Sequence, residues 1–149
     1  MENNKFIYQQ ASARLTVEGL PDYSLNHSNS SIGIVSNWSL ELIGKPNLEG
    51  KLDHLKSLIN VFYPYSRYCL SGIRRRFNDP NGFIEILPNE EACHNIKLRS
   101  SKPGISPLEI TLDDAELSDL LRCIDALIKD ERVVIKWEYP KDFPLRQKD

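Results

Sequence analysis

Leu108-Glu109-Ile110-Thr111-Leu112-Asp113-Asp114-Ala115-Glu116-Leu117-Ser118-Asp119-Leu120-Leu121 changes its hydrophobic period half-way along. Leu108, Ile110 and Leu112 alternate with polar residues, the two-residue period of a half-buried strand. From Asp113 the period lengthens. Leu117, Leu120, Leu121, Ile124, Leu127 and Ile128 form one stripe at three- and four-residue steps, the buried side of an amphipathic helix. Asp113 is a suitable N-cap, and Glu116, three residues on, completes a capping box. A strand thus runs directly into a helix.

The same change of period occurs earlier. Ala13, Leu15 and Val17 alternate, and the reading is extended over 5–20 until Gly19 and Pro21 interrupt it. The Ser- and Asn-rich stretch 23–31 reads as a loop. Residues 32–43 are strand-like, with Asn37 marking a turn or bulge between two strands. From Leu48 the helical period takes over through Leu52, Leu55, Ile59 and Phe62, and Pro64 is expected to kink or end that helix. Residues 83–87 and 95–99 read as two more strands, and 132–139 as a last one, with Val133, Ile135, Trp137 and Tyr139 on one face. Residues 140–149 form a charged, Pro-containing tail, expected to be partly mobile. Leu40-Glu41-Leu42 resembles Leu108-Glu109-Ile110 at an offset of 68, and the two helical stripes correspond at 65. The expected architecture is therefore a single α+β domain over 1–139. It has one antiparallel sheet of about six to eight strands and two main helices on one face. Two repeated β-β-β-α units about a pseudo-twofold axis are one form of it.

Composition narrows the function classes. The 149 residues are 40% hydrophobic and 27% charged, ordinary for a globular chain. Lys+Arg 19 against Asp+Glu 21 gives a net charge of −2, so bulk charge does not hold the protein on nucleic acid or an acidic membrane. No apolar run approaches the roughly 20 residues of a membrane-spanning helix. Cys69, Cys93 and Cys123 are far apart and lack zinc spacing, and no secretory signal is visible at the start, which points to the cytoplasm.

Few residues point to chemistry. His27 lies in the Ser/Asn loop and His54 off the apolar stripe of the first helix, so both are expected to face solvent. Cys93-His94 is the nearest approach to a reactive pair, but adjacent strand residues point to opposite faces. Glu90-Glu91, Asp113-Asp114 and Asp130-Glu131 fall at turns or a helix start, where negative charge is favoured anyway. No phosphate-binding glycine loop is present. The expectation is no catalytic residue, no cofactor and no metal. An enzymatic reading would need a pocket lined by Cys93, His94 or His54.

Arg74-Arg75-Arg76 is the one clear charge run. With Tyr65, Arg67, Tyr68 and Phe77, and with Tyr63 nearby, it makes a basic stretch interleaved with aromatics. Arg and Tyr are the residues that anchor protein interfaces, so a protein partner is expected there first. The same residues could grip phosphates and stack bases, which makes a nucleic-acid binder the alternative. The sheet face opposite the helices is a second candidate surface, with Trp38 as its anchor. A duplicated or edge-exposed sheet could also support a homodimer.

Leu15-Thr16-Val17-Glu18-Gly19-Leu20, Leu40-Glu41-Leu42-Ile43-Gly44, Ser66-Arg67-Tyr68-Cys69-Leu70-Ser71-Gly72 and Ile84-Glu85-Ile86-Leu87-Pro88 follow in order, ahead of the helix over 117–127. In this the chain resembles a family of small, functionally uncharacterised cyanobacterial proteins, a domain of unknown function. The resemblance covers about residues 13–131. Pro64 departs from it, since the family pattern has an uninterrupted helix there. The resemblance implies a cyanobacterial cytoplasm and an accessory role near photosynthesis, and it supplies no catalytic residue.

Overall fold

Alternating strands build two antiparallel sheets of four strands each. The structure, a computed structural model, describes residues 3–70, 72, 76–78, 83–89, 91, 93–99 and 104–137. Strands β1 (Asn4–Gln9), β2 (Ala13–Leu20), β3 (Ile34–Leu42) and β4 (Leu48–Gly50) form the first sheet in that order, and helix α1 (Leu52–Leu70) follows. Strands β5 (Phe77–Asn78), β6 (Ile84–Pro88), β7 (His94–Leu98) and β8 (Leu108–Leu112) form the second, and helix α2 (Asp114–Lys129) follows. The α+β class, the antiparallel pairing and the two main helices are as the sequence indicates. The strands divide into two sheets rather than one. Those flanking α1 are the shortest, three and two residues, and do not carry a ladder onward.

The chain divides into two compact units, and the boundaries fall inside both helices. The first sheet shares its unit with Ser118–Trp137, hence with most of α2; the second shares its unit with α1 from Lys56 onward. The element order, four antiparallel strands and then a helix, occurs twice, with four strands where the expected unit has three, and the matched segments do not fall on corresponding strands. Leu40-Glu41-Leu42 lies in β3, third and interior in its sheet, whereas Leu108-Glu109-Ile110 lies in β8, fourth and at an edge.

In the first unit the inward residues are Ala13, Leu15 and Val17 on β2 and Trp38, Leu40 and Leu42 on β3. Leu15, Leu40 and Leu48 form one cross-strand row. Trp38 is only 4% exposed and faces inward, with its indole Nε1–H donating to the Lys51 carbonyl at 2.7 Å. It therefore does not anchor an open sheet face. Residues 32–43 contain one strand, β3, and not two. The bulge expected near Asn37 is real: Glu18 pairs with Asn37 but Gly19 with Val35, leaving Ser36 extra. Gly19 is required there, because a Cβ would lie 2.1 Å from the Ile34 carbonyl oxygen.

The extended stretch 5–20 is a hairpin. Its turn has no Gly or Pro; α2 holds it from outside. Asp119 accepts from the Ser12 backbone N–H at 3.0 Å and from the Ser12 hydroxyl at 2.7 Å. Cys123, fully buried, donates its thiol to the Tyr8 carbonyl at 3.2 Å. Past α2, the expected strand over 132–139 reduces to one parallel bridge, Ile32 to Val133. The alternation survives, since Val133 is buried while Val134 and Lys136 are exposed, but 134–137 have no ladder. Tyr139 and the tail over 140–149 lie outside the described residues.

In the second unit Ile84, Ile86, Ile96, Ile110 and Leu112 face inward and are buried, as are Leu58, Ile59, Phe62 and Tyr65 of α1. α1 starts four residues later than the periodicity suggests, because Leu48 belongs to β4. It runs through Pro64 to Leu70 rather than ending there. The capping box of α2 forms as expected. The Asp113 carboxylate accepts from the Glu116 N–H at 2.8 Å, and Glu116 accepts from the Asp113 N–H at 2.9 Å.

After α2 a charged cluster fastens the chain to β1. The Asp130 carboxylate accepts from the Tyr8 hydroxyl at 2.7 Å and from Arg132 Nη2 and Nε at 2.7 and 3.0 Å. The Arg132 guanidinium lies 3.9 Å from the centroid of the Phe6 ring. The Arg132 hydrogen bonds hold the Asp130 carboxyl down to about 2, and burial pushes the Tyr8 phenol up. Because the folded value of Asp130 lies below the ordinary one of 3.8, its contribution is present above that ordinary value and fades as pH falls through about 2. Asp130→Asn should therefore lower the denaturant midpoint at neutral pH, and the gap from the unaltered protein should close between about pH 4 and pH 2. Equilibrium urea unfolding across that range measures it.

Candidate functional site

The basic–aromatic stretch begins in the last turns of α1. Its helical spacing puts Tyr65 on the inward face, where it is 0% exposed, so it offers no contact surface. Phe77 on β5 meets it edge-on with ring centroids 6.0 Å apart. Tyr68, half-buried, lies against the other side of this cluster, its ring centroid 5.2 Å from that of Phe77. Arg67 is half-buried in the last turn of the helix. Arg76 is 61% exposed, and its Nε lies 3.5 Å from the Glu85 carboxylate. Arg74 and Arg75 lie outside the described residues. Of the seven expected contact residues, the structure thus joins Tyr65, Tyr68 and Phe77 in one aromatic cluster on the inner side and sets Arg76 on the outer face with Glu85.

Glu85 introduces a residue that the sequence reading missed. On β6, Glu85 and Leu87 alternate with buried Ile84 and Ile86 and so face outward. The register aligns Glu85 with Lys97 of β7 and Lys97 with Glu109 of β8. Arg99 continues the outward parity of β7, with its N–H bonded to the Phe83 carbonyl at 2.8 Å. Its guanidinium reaches Glu85 at 3.8 Å. One carboxylate, itself 14% exposed, therefore lies between two arginines that are 61% and 46% exposed. The signal was present in the sequence as two short alternating strands closed by a turn, but only their pairing register brings Arg99 to Glu85.

The inner face of the same sheet carries a polar chain. His94, Ile96 and Leu98 share the inward parity of β7, so the histidine stands where an apolar residue would otherwise be. His94 is 6% exposed. The Tyr65 hydroxyl is 2.6 Å from its Nδ1, and its Nε2 is 2.7 Å from the carboxylate of Asp114 at the start of α2. A carboxylate only accepts, so in the neutral ring Nε2 carries the proton and donates to Asp114. Nδ1 is then the acceptor for the Tyr65 hydroxyl. The order hydroxyl, imidazole, carboxylate is that of an activated nucleophile. Its polarity with respect to solvent is inverted: Tyr65 is enclosed, while the Asp114 side chain is 85% exposed.

Cys93 faces away from this chain, as the strand parity requires, and its N–H donates to the Asn89 side chain at 3.0 Å. His27 is half-buried rather than solvated, and its ring fills the space a Cβ on Gly33 would take. His54 is likewise half-buried, beside Gly50. Among the described residues no group of three His, Cys, Asp or Glu side chains could hold a metal ion, and no helix is long and apolar enough to cross a membrane.

Tyr65→Phe leaves the Nδ1 of His94 without its donor and should cost about 1–3 kcal/mol. His94→Leu removes the acceptor from the same bond and should cost a similar amount. The double variant should lose at least about 1 kcal/mol less than the sum of the singles, because both remove one interaction. Urea unfolding of the three variants measures that coupling.

No curated protein and no solved structure shows a significant match to this chain. Its sequence does match a family model across residues 7–149, nearly the whole length, and the chain belongs to the family described as Domain of unknown function (DUF4335).

Proposed function

We propose that this protein is a non-enzymatic binding or assembly module that engages a protein partner, and that it acts in a cyanobacterial cytoplasm without a cofactor. The contact surface is the basic–aromatic stretch, with Arg67, Tyr68, Arg74, Arg75, Arg76 and Phe77 as its members. The observation that carries this reading is the exposed Arg76, held 3.5 Å from the Glu85 carboxylate on the outer face of the second sheet. An exposed arginine held in place by a carboxylate is a residue of the kind that anchors protein interfaces. The hydroxyl–imidazole–carboxylate chain fits a structural role better than a catalytic one, since its hydroxyl end is enclosed.

The nucleic-acid alternative is weaker on charge. The chain carries −2 overall, and Arg14, Arg76, Arg99 and Arg132 each lie within ion-pair distance of a carboxylate. Phosphate binding draws on several uncompensated cations and is strongly salt-dependent.

The test is affinity capture from a cyanobacterial lysate with the tagged protein and its Arg74→Ala/Arg75→Ala/Arg76→Ala variant, each with and without nuclease. A protein captured despite nuclease, and reduced about tenfold or more in the triple variant, is the expected result. Capture that survives the triple change undiminished rejects this surface. Capture that disappears with nuclease moves the assignment to nucleic acid.

A further inference from the structure

The outer face of the second sheet carries charge that the basic stretch alone does not contain. Among the described residues it holds Arg76, Lys97 and Arg99 with Glu85 and Glu109, and at Glu85 two guanidiniums meet a single carboxylate. The two guanidiniums approach one carboxylate at 3.5 and 3.8 Å, separations at which each keeps donors for a further anion. Both arginines stay exposed, while Glu85 between them is nearly covered. Glu85 thus lies between Arg76 of the chain before β5 and Arg99 of the chain after β7.

We infer that this face is a docking surface for an acidic polypeptide segment, with Arg76 and Arg99 as the paired carboxylate receptors and Glu85 between them as the carboxylate that an incoming one competes with. The inference rests on the protein-partner reading above and specifies the chemistry of that partner. Carboxylates suit the site because a planar guanidinium takes a carboxylate through two parallel N–H bonds. A nucleic-acid strand suits it less, since single strands are gripped through aromatic rings left open for base stacking. The nearest aromatic rings are engaged with each other, Tyr68 with Phe77 and Phe77 with Tyr65, rather than presented for base stacking.

Fluorescence anisotropy with a labelled decaglutamate peptide, and in parallel with a decameric single-stranded oligonucleotide, tests the assignment on the full chain. The peptide should bind, and Arg76→Ala/Arg99→Ala should weaken it about tenfold. Glu85→Gln removes the competing negative charge and should tighten binding about two- to fourfold at low salt, with the effect shrinking as salt rises. A folding defect would not produce tighter binding, so this variant keeps the test decisive even if the double variant is unstable. Peptide binding unchanged in both variants, no peptide binding at about 1 mM, or tighter binding of the oligonucleotide with the same variant pattern would each overturn the inference. The partner-binding reading fails separately: it stands if the Arg74–Arg76 triple variant loses its captured protein while Arg99→Ala keeps it, and in that case only the acidic-segment assignment falls.

Discussion

Each sheet has one face that must be kept from water, and most other features follow from that requirement. Strand alternation collects Leu, Ile and Val on one side of β2, β3, β6, β7 and β8, and within each unit a helix supplies a matching apolar stripe. Burying an aliphatic side chain of this kind contributes roughly 1.5–3 kcal/mol, whereas an unpartnered polar group in the same place costs a similar amount. A polar group placed on an inner face therefore gains from a built partner. The Trp38 indole has the Lys51 carbonyl, and His94 has Tyr65 on one side and Asp114 on the other. The Cys123 thiol has the Tyr8 carbonyl.

The outer faces obey the opposite rule and keep their charges in solution. What distinguishes the second sheet is uneven pairing. Glu85 serves two arginines, so positive charge is left over around that one carboxylate. On the first sheet Arg14 faces a single Glu41, and after α2 Arg132 is fully engaged by Asp130. The surplus at Arg76 and Arg99 is thus local, and it coincides with the stretch that composition alone marks as unusual.

The inward histidine shows how a chemical motif can arise for structural reasons. Tyr65, His94 and Asp114 reproduce a hydroxyl–imidazole–carboxylate order, yet the enclosed group is the hydroxyl and the exposed one is the carboxylate. Such a chain joins α1, β7 and the first turn of α2 through directional bonds. It adds specificity of position that apolar contacts, being non-directional, do not supply.

Sequence by itself determined the elements whose cause is local. The capping box at Asp113 and Glu116 needs only two side chains three residues apart, and the stripes of α1 and α2 and the alternation of β2, β6, β7 and β8 need only periodicity. Half of the candidate surface, from Arg67 to Phe77, was legible as composition. Contacts between distant residues decided the rest. The turn at Gln10 to Ser12 has no Gly or Pro and is secured by Asp119, and Leu48 became a strand by pairing with Leu40. The alternation over 133–137 lacks a ladder because it meets a neighbour only at Ile32. Arg99 joins Arg76, Tyr65 turns inward and Trp38 is covered for the same reason: pairing register and helix packing choose which neighbour a side chain meets, and local periodicity carries no information about either.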